Sequence, residues 1–223
     1  MCGRYSLKTP VEELAQKFGA RKAAQASPRY NIAPSQEVLA VTNAEGEREL
    51  TTLVWGLIPS WSREPQGFIN ARAETVLEKP SFRDSFRKRP CLIPADGFFE
   101  WRKSGRGGMK QPYYFRLGDG RVFAFAGVWD EWRGEGVSIP SCAIITTKPN
   151  EVARAVHDRM PVILREEDYG LWLDPDPGKL ELRLGLLKPY PAAEMECYPV
   201  STAVNDPHHD GADLIERVRK ASA

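Results

Sequence analysis

The stretch CLIPADGFFEWR, residues 91–102, indicates the fold class of this chain. Two short runs rich in apolar and aromatic residues, 91–93 and 98–102, lie on either side of a segment that contains Pro94 and Gly97. Runs of this length, bounded by residues that favour turns, are typical of β-strands. We therefore predict two short strands here, and the same pattern recurs along the chain.

Further strands are predicted at 37–42, 48–55, 113–117, 122–129 and 141–146. A first helix is predicted to end at Phe18, with Thr9 as its N-cap, Pro10 at its first position and Glu12 in a capping box. Shorter helices are predicted at 81–87, 150–156 (capped by Asn150), 166–173 and 212–219, and a mobile loop at 104–110.

Many short strands with few helices predict one α+β domain over residues 1–223, with its core at about 2–218 and a short C-terminal tail. Its antiparallel sheets are expected to curl into a barrel-like core with flanking helices.

The composition is typical of a soluble globular protein, with 42% hydrophobic and 27% charged residues. No apolar run is long enough to span a bilayer, and charges near the start interrupt any signal peptide, so we expect a cytoplasmic protein. A net charge of +1 does not indicate attraction of the whole surface to nucleic acid. Any binding of nucleic acid must therefore come from a local cluster of cations. The four cysteines include no CxxC pair, so neither a zinc site nor a disulfide is expected.

Cysteine is the second residue, in the run MCGRY at 1–5. Removal of the start methionine is easy before a small residue and would give Cys2 a free α-amine beside its thiol. The amine has a pKa of about 7.7–8.0, so part of it is neutral at pH 7 and can attack an aldehyde to form an imine. The thiol can then close a thiazolidine ring. Acyl transfer by the thiol, and a Cys2 with no chemical role, both stay open.

Three further residues could take part in such chemistry. In INARAET, residues 69–75, Asn70 and Arg72 alternate with small or apolar residues, which would place both on one face of a strand. Glu100 lies between aromatic residues, and an apolar environment raises the pKa of a carboxyl group into the range useful for proton transfer. His157 follows a predicted helix and can shuttle protons near pH 7. A purely structural role stays open for each.

Other residues bear on binding partners. Trp61 is a candidate for stacking on unpaired bases, whereas Trp55 is expected in the core. Arg4, Arg72 and the cations of 83–89 could contact phosphates if they converge, although a solvated helix face is the alternative for 83–89. The adjacent His208 and His209 have poor spacing for metal ligands, so no metal is expected there.

Taken together, these segments resemble the SRAP (SOS-response-associated peptidase) family from Met1 to about Val218. The motifs, in order, are MCGRY at 1–5, YNIAP at 30–34, WGLIPSW at 55–61, INARAET at 69–75, ADGFFEW at 95–101, HDRMP at 157–161 and PVSTAVND at 199–206. Several motifs in one order are far more specific than any one alone. One departure is Ser62, where members often have a second tryptophan.

The resemblance implies a sensor of abasic sites in single-stranded DNA, whose N-terminal cysteine becomes covalently attached to the ring-opened sugar. The family's catalytic positions fall on Cys2, Asn70, Glu100 and His157, and its DNA contacts on Arg4, Arg72, Trp61 and Pro34. The implied partner is single-stranded DNA with an abasic site, bound by a monomer that is nucleoid-associated on DNA. No cofactor, metal or membrane is implied. Strand cleavage at the lesion and self-removal of Met1 are implied side activities.

Two other functions stay open. N-terminal nucleophile amidohydrolases also begin with Met-Cys-Gly and would use the Cys2 thiol on an amide, with the α-amine as base. That alternative does not explain the Glu100 and His157 motifs. A non-catalytic single-strand-binding module would leave Cys2 without a role.

Overall fold

The structure is a computed structural model that describes residues 2–22, 24–44, 46–102, 110–134 and 136–218. The strands are β1 (Tyr5–Leu7), β2 (Arg21–Lys22), β3 (Arg29–Ile32), β4 (Glu37–Ala44), β5 (Glu47–Trp55), β6 (Asn70–Arg72), β7 (Pro90–Ala95), β8 (Gly97–Arg102), β9 (Gln111–Leu117), β10 (Phe123–Gly134), β11 (Val137–Thr147), β12 (Met160–Pro161), β13 (Ile163–Leu164) and β14 (Met195–Pro199). The helices are α1 (Val11–Phe18), α2 (Pro80–Lys88), α3 (Glu151–Arg154), α4 (Tyr169–Leu173) and α5 (Leu180–Gly185).

Five strands close a barrel. β7 pairs with β4 and β10, β4 with β5, and β10 with β11, all of them antiparallel. β11 then pairs in parallel with β5, through Ser141 opposite Val54 and Cys142 opposite Trp55, which completes the ring. The predicted α+β class with a barrel-like core is confirmed, and the pair that closes the barrel is parallel.

A second sheet of five strands, in the order β14-β9-β8-β1-β3, adjoins the barrel. Side chains of β8 alternate between its two faces, as the pleat of a strand requires. Phe98 belongs to the main core, whereas Phe99 packs in a separate cluster with Tyr114 and Tyr198. Glu100 follows Phe98 by two residues and therefore lies on the face of the main core, at the end where the strand leaves it.

The chain passes between the two sheets at Asp96, the single residue between β7 and β8. Its main-chain N–H donates to the Ser6 carbonyl at 2.9 Å, which joins the passage to β1. A Cβ atom on Gly97 would overlap the Tyr114 ring, so only glycine fits where β8 begins. The stretch 91–102 therefore contributes one strand to each sheet.

The start of α1 differs from the prediction. Pro10 occupies the N-cap position, and no side chain caps the helix. The Thr9 hydroxyl donates instead to Asp96 Oδ1 at 2.6 Å. The same buried carboxylate also accepts the main-chain N–H of Thr9, so both groups of Thr9 are bound to Asp96. Asn150, in contrast, caps α3 as predicted, and its side chain accepts from the Ala153 N–H at 2.9 Å.

The predicted helix at 212–219 is wrong. Only a short 3-10 turn forms at Ala212–Ile215, and the Val218 N–H then bonds to the Pro199 carbonyl, which holds the chain extended beside β14. Helix α5 was not predicted at all. The loop predicted at 104–110 lies outside the described residues, apart from Lys110. No helix in the described part of the chain is long and apolar enough to cross a membrane.

Candidate active site

Strand β11 brings two of the predicted site segments together. β6 runs parallel to it on one side, with Asn70 opposite Ile144. β12, which begins three residues after His157, pairs with Thr146 and Thr147 on the other side. The segments that carry Asn70 and His157 are thus neighbours of one strand, although 87 positions of chain numbering separate them.

Cys2 lies just before β1 and is fully buried. Its carbonyl oxygen accepts a hydrogen bond from Asn70 Nδ2 at 2.9 Å. The second polar atom of that side chain, Asn70 Oδ1, is buried and accepts no hydrogen bond from any residue that the structure describes. Asn70 therefore fixes the main chain of Cys2 and keeps one acceptor available for a ligand.

Burial raises the pKa of the Cys2 thiol well above its ordinary value, and the nearby Glu100 carboxylate raises it further. Both effects disfavour the charged thiolate. Cys2 therefore holds a neutral thiol at physiological pH.

Glu100 and His157 approach each other beside Cys2. His157 Nε2 lies 3.9 Å from Glu100 Oε2. Burial raises the pKa of Glu100 above its usual value, and the neighbouring imidazole opposes part of that change. The structure thus brings Cys2, Asn70, Glu100 and His157 together, from four separate segments of the chain.

Nδ1, the other ring nitrogen of His157, has two neighbours that require opposite protonation states of this atom. The main-chain N–H of Arg159 donates to Nδ1 at 3.1 Å, which requires a lone pair there. Asp158 Oδ1 lies 3.0 Å from the same atom and would require a proton. The Asp158 side chain is 89% exposed and water competes for it, whereas the Arg159 N–H is aimed at the ring. We therefore assign the proton of the neutral form of the ring to Nε2, the nitrogen that faces Glu100.

The four candidate DNA contacts differ in their surroundings. Trp61 is 61% exposed, as base stacking requires. Arg72 is exposed and forms no ion pair with any described residue, which leaves its charge available. Pro34 is half-buried and precedes Ser35, whose φ of 67° turns the chain sharply. Arg4 is already engaged, since it donates to Asn31 Oδ1 at 2.7 Å and to a main-chain carbonyl.

Arg89, His208 and His209 already contact carboxylates. Arg89 forms an ion pair with Asp130 and lies over the Trp129 ring. His208 and His209 contact carboxylates of their own segment, at 3.0 and 3.1 Å. Among the residues that the structure describes, no three His, Cys, Asp or Glu side chains converge as a metal site would need.

Two residues with important contacts were missed in the sequence. Asn31 is buried and donates from Nδ2 to the carbonyls of Asp206 and His209, at 2.9 and 2.7 Å, which fastens the C-terminal segment beside Arg4. Arg159 spans the site segments, as described below. Both lie inside recognised motifs, YNIAP and HDRMP. A motif does not show, however, which residues its polar side chains contact in the folded protein.

Comparison with known proteins gives one consistent result. The sequence profile of the SOS response associated peptidase (SRAP) family matches residues 1–207. The abasic site processing protein YoqW of Bacillus subtilis is 42% identical over 97% of this chain and 99% of its own length. The abasic site processing protein YedK of Escherichia coli is 29% identical over 98% of this chain and 100% of its own length. A crystal structure of a protein from Bacteroides thetaiotaomicron superposes with a TM-score of 0.85 at 28% identity, covering 98% of this chain and 100% of the other.

Proposed function

Because this chain belongs to the SRAP family, we propose that it processes abasic sites in single-stranded DNA by forming a covalent adduct through Cys2. The observation that carries the proposal is the convergence of Asn70, Glu100 and His157 around a second-position cysteine. Relatives that resemble the chain over nearly its whole length are named for abasic site processing, which supports the same substrate.

The reaction begins after Met1 has been removed. The Cys2 α-amine attacks the C1′ aldehyde of the ring-opened abasic sugar, and loss of one water gives an imine. The thiol then adds across the C=N bond, so that sulfur bonds to C1′ and the thiol proton passes to nitrogen. The product is a five-membered thiazolidine ring that joins the protein to the DNA.

Each neighbouring residue has a role in this sequence. As the sugar opens, the proton of the anomeric hydroxyl passes to the ring oxygen, and His157 assists by donating a hydrogen bond from Nε2–H to that oxygen. Glu100 accepts the proton that the attacking amine loses. Its raised pKa makes it a stronger base than an ordinary carboxylate. Asn70 holds the Cys2 carbonyl and offers Oδ1 to the amine or to a sugar hydroxyl.

The state of the Cys2 thiol favours this route over amide hydrolysis. An amidohydrolase would need the thiolate as its first nucleophile, but in the chain that still carries Met1, burial and Glu100 both raise the thiol pKa. In the proposed route the amine attacks first, and the thiol adds to an already reactive imine. A thiol that stays neutral until that point is compatible with it.

Two side activities belong to the proposal. An imine at C1′ acidifies the C2′ protons, so strand cleavage by β-elimination competes with ring closure. Cys2 lies beside the same acid and base groups, which supports removal of Met1 by the protein itself. We expect the protein to act as a monomer on single strands.

A crosslinking assay tests the proposal. Wild-type protein incubated with single-stranded DNA carrying one abasic site should give a heat-stable adduct on a denaturing gel. Cys2→Ala should abolish the adduct and keep non-covalent binding, whereas Cys197→Ala, at a half-buried cysteine of β14, should leave it unchanged. A heat-stable adduct with Cys2→Ala would assign the nucleophile elsewhere. Glutaminase activity lost in the same variant would favour the amidohydrolase.

A further inference from the structure

A bidentate ion pair between Glu74 and Arg159 joins the segments that carry Asn70 and His157. Arg159 Nη1 lies 2.6 Å from Glu74 Oε1, and Nη2 lies 2.9 Å from Glu74 Oε2. Nη2 also donates to the carbonyl oxygen of Thr146 at 2.6 Å. Because Thr146 lies on β11 between β6 and β12, the Arg159 side chain crosses that strand from the histidine segment to the asparagine segment.

The geometry of this pair is more restrictive than that of an ordinary surface ion pair. Two parallel N–H···O bonds fix the plane of the guanidinium group as well as its distance from the carboxylate. The bond to Arg159 is the main reason that the pKa of Glu74 is lowered, so Glu74 is charged at neutral pH. A bidentate arginine pair can contribute to stability, but its more specific consequence is geometric, because it fixes the orientation of the guanidinium group. We therefore look for the effect of Glu74 in the position of Arg159 rather than in the free energy of unfolding.

The position of Arg159 decides the state of His157. The main-chain N–H of Arg159 donates to His157 Nδ1, so the neutral ring carries its proton on Nε2. Nε2 is the nitrogen that lies 3.9 Å from Glu100. A small shift of Arg159 would remove this hydrogen bond and allow the other tautomer, which presents no proton toward the site.

We propose that Glu74 is a positioning residue, which holds Arg159 so that its main chain keeps His157 in the Nε2–H tautomer. The tautomer itself is independent of any reaction. Its consequence for crosslinking rests on the function proposed above, because only there does His157 donate a hydrogen bond to the opening sugar.

The test compares Glu74→Ala with Glu194→Ala. Glu194 is a matched control, since its ion pair with Arg165 is also 2.6 Å long and its side chain is 37% exposed, against 41% for Glu74. The chain has three histidines, so ring ¹⁵N signals from ¹⁵N-histidine protein can be assigned by His157→Gln. Wild type and Glu194→Ala should show the Nε2–H form of His157, and Glu74→Ala a mixture of both tautomers.

Crosslinking kinetics provide the second readout. Glu74→Ala should slow adduct formation at saturating DNA about tenfold, the order of a weakened hydrogen bond to an oxygen that gains charge in the transition state. Its affinity for single-stranded DNA should stay equal or rise, because one negative charge is removed. Glu74→Gln, which keeps one acceptor oxygen for Arg159, should recover part of the rate.

Three results would overturn the proposal. One is an unchanged His157 tautomer in Glu74→Ala. Another is an affinity that falls in parallel with the rate in both Glu74 variants, since that indicates a general loss of structure. The third is an equal slowing by Glu194→Ala. If wild-type protein forms no adduct, the proposed function fails, while the ¹⁵N experiment still tests the role of Glu74.

Discussion

At the scale of single residues, the site combines buried ionisable groups whose charged forms are disfavoured. Burial raises the pKa of both Cys2 and Glu100. The sequence predicted this for Glu100 from its aromatic neighbours, Phe99 and Trp101. It did not predict the neutral thiol, because the burial of Cys2 depends on contacts with β6 and β8 from distant parts of the chain.

Glu100→Gln should raise the stability of the protein more at pH 8 than at pH 5. A carboxyl group whose pKa is raised by folding stabilises the fold fully below its unfolded pKa of about 4.3, and this contribution is lost as the pH rises through the folded pKa. Glutamine has no such dependence. Urea denaturation at the two pH values should show the variant gaining on wild type by about 1.4 kcal/mol for each pH unit by which the folded pKa of Glu100 exceeds 5. A difference that does not change with pH would show that Glu100 titrates normally.

At the scale of elements, short apolar runs bounded by turn residues predicted the seven longest strands, β4, β5 and β7 to β11. Long-range pairing was not predictable, since no local feature marks β5 as the parallel partner of β11. The start of α1 was misplaced for a related reason. Thr9 has the local chemistry of an N-cap, but its hydroxyl meets Asp96 from another element.

Asn31→Ala should release the C-terminal segment from β3. The substitution removes the acceptor of Arg4 and the donor to the Asp206 and His209 carbonyls, and buried polar groups left without partners cost about 1–3 kcal/mol each. We expect a loss of about 3 kcal/mol in the free energy of unfolding, with faster hydrogen exchange across 202–210.

Asn43→Ala is the control for this prediction, because the one hydrogen bond that its side chain forms with a described residue, to the Leu173 carbonyl, is 3.4 Å long. It should cost less than about 1 kcal/mol. Equal costs for the two variants, or unchanged exchange across 202–210 in Asn31→Ala, would refute the fastening role of Asn31.

At the scale of the whole molecule, the net charge of +1 leaves DNA binding to a few local groups. Arg72 has no ion-pair partner among the described residues, and Trp61 is exposed. The sequence identified both. It could not foresee that Arg4 is held by Asn31, which gives Arg4 a structural contact beside any contact with phosphate.

Arg72→Ala should weaken binding to single-stranded DNA of every sequence. One lost phosphate contact lowers the slope of log affinity against log salt by about 0.7 on single strands. Fluorescence anisotropy over a series of salt concentrations measures this slope. Arg133→Ala is the control and should leave the slope unchanged, because the Arg133 guanidinium already pairs with Glu131. An unchanged slope in Arg72→Ala would exclude it as a phosphate contact.

Trp61→Ala should lower affinity in a different manner. Stacking on one base contributes about 1–3 kcal/mol and depends little on salt. The same anisotropy series should therefore show weaker binding at every salt concentration, with a slope close to that of wild type. Wild-type affinity in this variant would place Trp61 outside the DNA interface.

The mass of the intact adduct tests the central claim most directly. Wild-type protein and single-stranded DNA with one abasic site should give a species equal to the protein without Met1 plus the DNA, less one water, and peptide mapping should place the link on Cys2. Cys2→Ser should give an adduct only after borohydride reduction, because its imine cannot close to a thiazolidine. An adduct that retains Met1, a link on any other residue, or no covalent species would contradict the account.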